Sequence, residues 1–171
     1  MAAKREYRAF LRAVNIGGRF VTMERLRALF AGLGFENVRS YIQSGNVFFE
    51  TGESKREAIA RKIEAHIARE LGFECPVFLR TVAELEKTLA IDAFKNVKVL
   101  PQTRLAVIPH RSPKGDYELL HATPGEVFVV FHQPDGRPGN PVAYLEKTFG
   151  VSATARFHAT ALKILEAAKK R

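Results

Sequence analysis

Residues 38–50 read Val38-Arg39-Ser40-Tyr41-Ile42-Gln43-Ser44-Gly45-Asn46-Val47-Phe48-Phe49-Glu50. Two runs of strand-forming residues flank a short polar stretch, which predicts strands over Val38–Ile42 and Val47–Glu50 joined by Gln43-Ser44-Gly45-Asn46. Gly45 and Asn46 are the residues suited to the positive φ of a tight turn, so the strands are expected to form an antiparallel hairpin. Upstream, Leu26, Leu29, Phe30 and Leu33 recur at the spacing of one helical stripe, with Thr22 as N-cap and Gly34 as stop. Before that helix, Tyr7–Val14 alternates as a strand with Ala9, Leu11 and Ala13 on one face and Arg8, Phe10 and Arg12 on the other. Asn15-Ile16-Gly17-Gly18 breaks it. Downstream, Ser54 and Glu57 have capping-box spacing. They open a helix with Ile59, Ile63, Ile67 and Leu71 on one side, closed by Gly72, and Pro76–Arg80 supplies a last strand. The order βαββαβ is the split βαβ arrangement of a ferredoxin-like lobe.

The rest of the chain is less regular. Thr81 and Glu84 form a second capping box that starts a short helix to Ala90, the connection out of the lobe. Strands are expected over Arg104–Pro109, Tyr117–His121 and Glu126–His132, with turns at Ser112-Pro113-Lys114-Gly115 and Thr123-Pro124-Gly125. Pro134-Asp135-Gly136-Arg137-Pro138-Gly139 is irregular. Asn140 then caps a helix that starts with Pro141, runs to Phe149 and stops at Gly150. A final helix from Arg156 carries Phe157, Ala161, Leu165 and Ala168 on one face. The reading is an α+β protein of two lobes. The ferredoxin-like lobe covers 1–80, the connecting helix 81–91, and 92–171 forms a smaller α+β lobe with antiparallel strands and C-terminal helices.

An apolar fraction of 46% with 13 Phe in 171 residues is ample for packed cores. The single cysteine, Cys75, excludes an internal disulfide framework and any cysteine-cluster metal site. Lys4, Arg5, Arg8 and Arg12 interrupt any stretch suited to a signal-peptide core, and no run reaches the ~20 apolar residues of a membrane span. A cytosolic protein is expected. Charge is uneven: 27 basic residues against 18 acidic give +9. Ala93–Gly115 carries Lys95, Lys98, Arg104, Arg111 and Lys114 with no acid. Such a surface attracts phosphates and nucleic acid.

Topology points to a site. In a βαββαβ lobe the first and third strands are antiparallel neighbours, which brings the loop Asn15–Val21 beside the turn Gln43–Asn46. Between them they offer Asn15, Arg19, Gln43, Ser44 and Asn46, with backbone N–H groups uncovered at Gly17, Gly18 and Gly45. The first helix points its N-terminus at the same edge, and Arg12 adds a cation. This set suits a carboxylate or phosphate. The plain alternative is a pair of ordinary turns whose Asn and Ser bond their own backbone.

Named motifs are missing. There is no G-x-G-x-x-G, no P-loop and no G-x-S-x-G elbow, and the five histidines lack helical ligand spacing, so no cofactor or metal is assigned. Cys75 before Pro76 reads as a core thiol. Ferredoxin-like sheets bind RNA through aromatics on the first and third strands, here Phe10 with Phe48 or Phe49 beside Arg8 and Arg12. The RNP1 pattern is absent, and packing of the second lobe on that face is the stronger expectation. No residue stands out as a general base, so no reaction is assigned.

The stretches Tyr7–Gly18, Met23–Phe35 and Tyr41-Ile42-Gln43-Ser44-Gly45-Asn46-Val47 resemble the bacterial domain-of-unknown-function 1697 family. An Arg-x-x-Asn-x-Gly-Gly segment followed by Tyr-Ile-Gln-Ser-Gly-Asn is specific to it. The resemblance implies a two-lobed fold of ferredoxin-like character and no established activity. It also implies a polar start to the last helix, Thr-x-Arg-Asn-Trp-Asn-Thr. Here Thr154, Arg156 and Thr160 match, while Phe157, His158 and Ala159 replace the Asn, Trp and Asn. The leading expectation is a protein that binds a small anionic or phosphate-bearing ligand. Its site comprises Arg12, Asn15, Gly17, Gly18, Arg19, Gln43, Ser44, Gly45 and Asn46, joined by Arg156 and Thr160. The alternative is a nucleic-acid-binding module using the basic surface. No membrane partner is expected, and oligomeric state is not legible.

Overall fold

A computed structural model describes residues 4–96, 103–108, 118–123, 125–132, 141–150 and 152–170. Its first strand, β1 (Arg5–Leu11), is followed by helix α1 (Met23–Gly32), strands β2 (Glu36–Ser40) and β3 (Asn46–Thr51), helix α2 (Arg56–Leu71) and strand β4 (Val77–Arg80). These strands form one antiparallel sheet in the order β2-β3-β1-β4. The alternation expected along β1 holds. Tyr7, Ala9 and Leu11 join Leu26 and Phe30 of α1, Val47 and Phe49 of β3, and Ile59, Ile63 and Ile67 of α2 in one buried core. Phe30, Phe35, Tyr7 and Phe49 interlock there, with Phe35 stacked on Phe49 at 4.4 Å between centroids.

Local chemistry sets the element ends. Thr22 Oγ1 accepts from the Arg25 N–H at 3.1 Å and caps α1, and Gly34 leaves its end at φ 80°. Gly72 ends α2 in the left-handed region at φ 76°. Helix α3 (Val82–Leu89) opens with a reciprocal capping box. Glu84 Oε2 accepts from the Thr81 N–H at 2.8 Å, and Thr81 Oγ1 accepts from the Glu84 N–H at 3.2 Å. The Ser54–Glu57 box does not form. Lys55 is the N-cap of α2 and makes no side-chain cap bond, so Ser54 lies one residue too far upstream. The first strand ends at Leu11 rather than Val14, because Ala13 turns the chain at φ 55°.

The other face of this sheet carries Arg8, Phe10 and Phe48. Phe10 and Phe48 pack with Ile164 and Ala168, flanked by Tyr41, Phe78, Val82 and Leu85. Their cover is thus the end of the last helix, α5 (His158–Lys169). Contacts divide the chain into one compact unit of Met1–Glu86 with Ile164–Arg171 and another of Lys87–Lys163.

The second unit holds strands β5 (Thr103–Ile108), β6 (Glu118–Ala122) and β7 (Val127–His132), helix α4 (Pro141–Phe149) and strand β8 (Arg156–Phe157). The strands form an antiparallel sheet in the order β6-β7-β5-β8. Val127, Phe128, Val129 and Val130 are buried in succession, as on a strand covered on both faces. Arg156 and Phe157 were expected in the last helix. They instead pair with Val107 and Ala106 of β5, which gives their backbone groups partners, and α5 begins at His158. Its buried positions are Ile164 and Ala168, whereas Phe157 is exposed. The expected Ser112–Gly115 turn, Pro124, the Pro134–Gly139 segment and the Asn140 cap lie outside the described residues. Among the described residues, no helix is long and apolar enough to cross a membrane.

Candidate functional site

The antiparallel pairing of β1 with β3 carries the chain out of β1 at the edge where β2 turns into β3. The two loops are bonded together there. The Leu11 N–H donates to the Gly45 carbonyl at 2.8 Å. Asn15 Oδ1 accepts from the Val21 N–H at 2.7 Å, while Asn15 Nδ2 donates to the Gln43 carbonyl at 3.3 Å. One side chain thus closes the loop 15–21 on itself and fastens it to the 41–46 turn. Gly45 makes the approach feasible. A Cβ there would lie 3.1 Å from Leu11 Cβ and 3.2 Å from the Leu11 carbonyl oxygen, at a φ of 69° that already favours glycine.

The turn differs from the expected glycine–asparagine pair. Asn46 is buried and sits in β3. Its Nδ2 donates to the Tyr41 carbonyl at 3.1 Å and to Ser44 Oγ at 2.8 Å. The second left-handed position is Ile42, at φ 50°. Asn15, Ser44 and Asn46 therefore use side-chain atoms to build the loops. Thr22 and Glu24 occupy the first turn of α1, so its N-terminus is partly satisfied from within.

Gly17 and Gly18 are exposed at φ 67° and 83°, and the exposed Arg19 lays its guanidinium over the Phe73 ring at 4.5 Å. Phe73 leads to Cys75, whose Sγ lies 3.3 Å from the Arg12 carbonyl oxygen. Burial pushes the Cys75 thiol up to about 11, and the positive charges of Arg19 and Arg12 act the other way. The carboxylate of Glu64, which accepts from the Val77 N–H at 2.8 Å, adds to the upward shift of the thiol. Residues 12–21 and 41–46 contain these two arginines and no acid. Sequence reasoning missed Phe73 as the Arg19 platform, and it missed the outward display of Ile16, Phe20 and Ile42. The available signal was large apolar residues on both sides of Gly17-Gly18, in a stretch with neither helical nor strand period.

Arg156 and Thr160 lie in the second unit. Arg156 Nη1 donates to Thr154 Oγ1 at 3.0 Å and to the Ala155 carbonyl at 2.8 Å. Burial lowers Arg156 to about 10, so the guanidinium remains cationic at neutral pH. In the same unit His158 meets the Phe94 ring edge-on at 4.9 Å. Burial lowers its pKa, and Asp92 partly opposes that shift.

Residues 5–128 match the family described as protein of unknown function, DUF1697. The chain belongs to that family. A solved structure similar to this DUF1697 protein is the conserved bacterial protein SP0830 of Streptococcus pneumoniae. It has 25% sequence identity and a TM-score of 0.73, over 98% of this chain and 100% of the other. No curated protein matches the chain. The Asn15 bridge and the Gln43–Asn46 turn both lie inside the matched family region.

Proposed function

We propose that this DUF1697 protein recognises a small anionic or phosphate-bearing ligand at the edge formed by residues 15–21 and 41–46. In this reading residues 1–80 are a ferredoxin-like lobe, 81–91 lead out of it, and 92–171 form a second lobe whose last residues, from Ile164, group with the first compact unit. The observation that carries the proposal is the Asn15 side chain bonded to both Val21 and Gln43. It holds the two loops at one place, and the charged residues of residues 12–21 and 41–46 are Arg12 and Arg19. Arg12 and Arg19 neutralise the ligand, and the exposed N–H groups of Gly17 and Gly18 orient it. Asn15, Ser44, Gly45 and Asn46 serve as scaffold, and Gln43 adds a side-chain amide. A reducing, cytoplasmic setting suits the free Cys75 thiol.

Titration of inorganic phosphate and nucleotides into isotope-labelled protein, followed by amide NMR shifts, tests the reading. Shifts should centre on Gly17, Gly18, Arg19 and Gln43, and Arg19→Gln should weaken binding roughly tenfold, the value of a charge-assisted hydrogen bond. Shifts confined to other regions would reject the site.

A further inference from the structure

Large apolar side chains stand out on the same edge. Ile16 is 69% accessible, Phe20 72% and Ile42 47%, three of the five large hydrophobics that are exposed among the described residues. Ile16 and Phe20 flank Gly17-Gly18-Arg19, and Ile42 belongs to the turn that Asn15 ties to that loop. Single exposed apolar residues are ordinary, but a cluster gathered from two loops is the usual mark of a protein–protein contact. Small molecules are held in concave clefts that bury most of their surface. Side chains this accessible instead project toward a partner that brings its own concavity. Phenylalanine and arginine are also among the residues enriched where proteins meet.

Charge decides the kind of partner. Arg12 and Arg19 are the charged residues of the two loops, and both are basic. A second copy of this chain would bring the same cations against them, so like-charge repulsion disfavours self-association through this edge.

We propose that the anion recognised here is borne by a partner protein, as carboxylates on an acidic, aliphatic segment. Its apolar side chains cover Ile16, Phe20 and Ile42 while its carboxylates meet Arg12 and Arg19. The inference rests on the anion reading of this edge and assigns the bearer of the charge. The polypeptide that supplies the segment is identified by this chemistry: glutamate or aspartate interleaved with leucine, isoleucine or phenylalanine.

The test uses capped peptides and the full chain. One peptide alternates glutamate with leucine, a second has glutamine for glutamate, and a third has serine for leucine. The glutamate–leucine peptide should shift the Gly17 and Gly18 amides and the Ile16 and Ile42 methyl groups, and bind at least tenfold more tightly than either control. Phe20→Ser should weaken that peptide roughly tenfold, as expected for losing a buried aromatic contact, and leave the inorganic phosphate titration unchanged. Phe20 is exposed, so the substitution leaves the core intact. Equal binding of the glutamate–serine and glutamate–leucine peptides, or an unaltered affinity in Phe20→Ser, overturns the proposal. Phosphate binding at the loops with no response to the glutamate–leucine peptide overturns it alone and leaves the anion site standing. Silence toward both phosphate and peptide removes both.

Discussion

Ile42 holds φ 50°, a left-handed conformation that is an outlier for a β-branched side chain. Such strain costs on the order of 1–3 kcal/mol and persists only where surrounding bonds enforce it. Here the enforcing bonds are Tyr41 N–H to the Asn46 carbonyl at 3.1 Å and Asn46 Nδ2 to the Tyr41 carbonyl at 3.1 Å. Asparagine tolerates this conformation, so Ile42→Asn should raise stability by about 1 kcal/mol, read as a higher urea midpoint. The same substitution should weaken binding of an apolar partner, which would give the strained isoleucine a functional rationale. Cys75 offers a second residue-scale test. Burial raises its pKa from 9.0 to about 11, so the folded state keeps the thiol proton to higher pH than the unfolded chain does. The resulting stability is fully present below pH 9 and is lost as pH rises through about 11. By linkage the loss is about 2–3 kcal/mol. Comparing urea unfolding of the protein and Cys75→Ala at pH 8 and pH 11 isolates it. The difference in stability between the two should shrink at the higher pH.

At the scale of elements, the end of α5 is the part whose placement depends most on one side chain. Arg8 is fully buried on β1, with Nη2 donating to the Ala168 carbonyl at 2.7 Å and meeting Glu6 Oε1 at 2.8 Å. Its guanidinium lies 4.8 Å from the Phe48 ring centre, and Arg39 donates to the Lys170 carbonyl beside it. Two cations thus meet carbonyls at and just past the end of α5, where the helix dipole is negative. Burial lowers the Arg8 pKa, and Glu6 works against that shift. Arg8→Ala should cost about 3 kcal/mol, through lost packing and freed carbonyls, and should speed hydrogen exchange in α5. Arg8→Met restores volume without charge and should recover much of that loss, because Glu6 is accessible enough to hydrate. Equal losses in the two variants would show that the charge, not the packing, holds the helix end. The strand–helix pattern of the first eighty residues was legible because β1, α1, α2 and their glycine stops follow simple periods. The β8 pairing was not, since two residues have no period and only the edge of β5 decides their state.

For the whole molecule, the net charge of +9 is the feature that acts at a distance. It favours polyanions generally, so single-stranded RNA should be retarded in gels at low salt. Retardation should vanish steeply as salt rises, because such binding is driven by counterion release. Binding that survives several hundred millimolar salt would point to base contacts instead. Phe10 and Phe48, the aromatics that could have stacked on bases, are buried with Ile164 and Ala168, which leaves the basic exterior as the relevant surface.

Periodicity, capping residues and glycines determined, by themselves, which segments of the first eighty residues are strands and helices, and that the first and third of those strands are neighbours. The same topology put the 15–21 loop beside the 41–46 turn. These are properties of short stretches, written in spacing and local backbone preference. Only the tertiary structure decided what each polar side chain does once there. Asn15 and Asn46 spend their groups on backbone partners, Ser44 accepts from the Asn46 side chain, Arg8 finds a helix end 160 positions away, and Ile16, Phe20 and Ile42 stay exposed. A side chain's choice between scaffold, cap and open surface depends on which distant atoms lie within about 3 Å, and no local pattern encodes that distance.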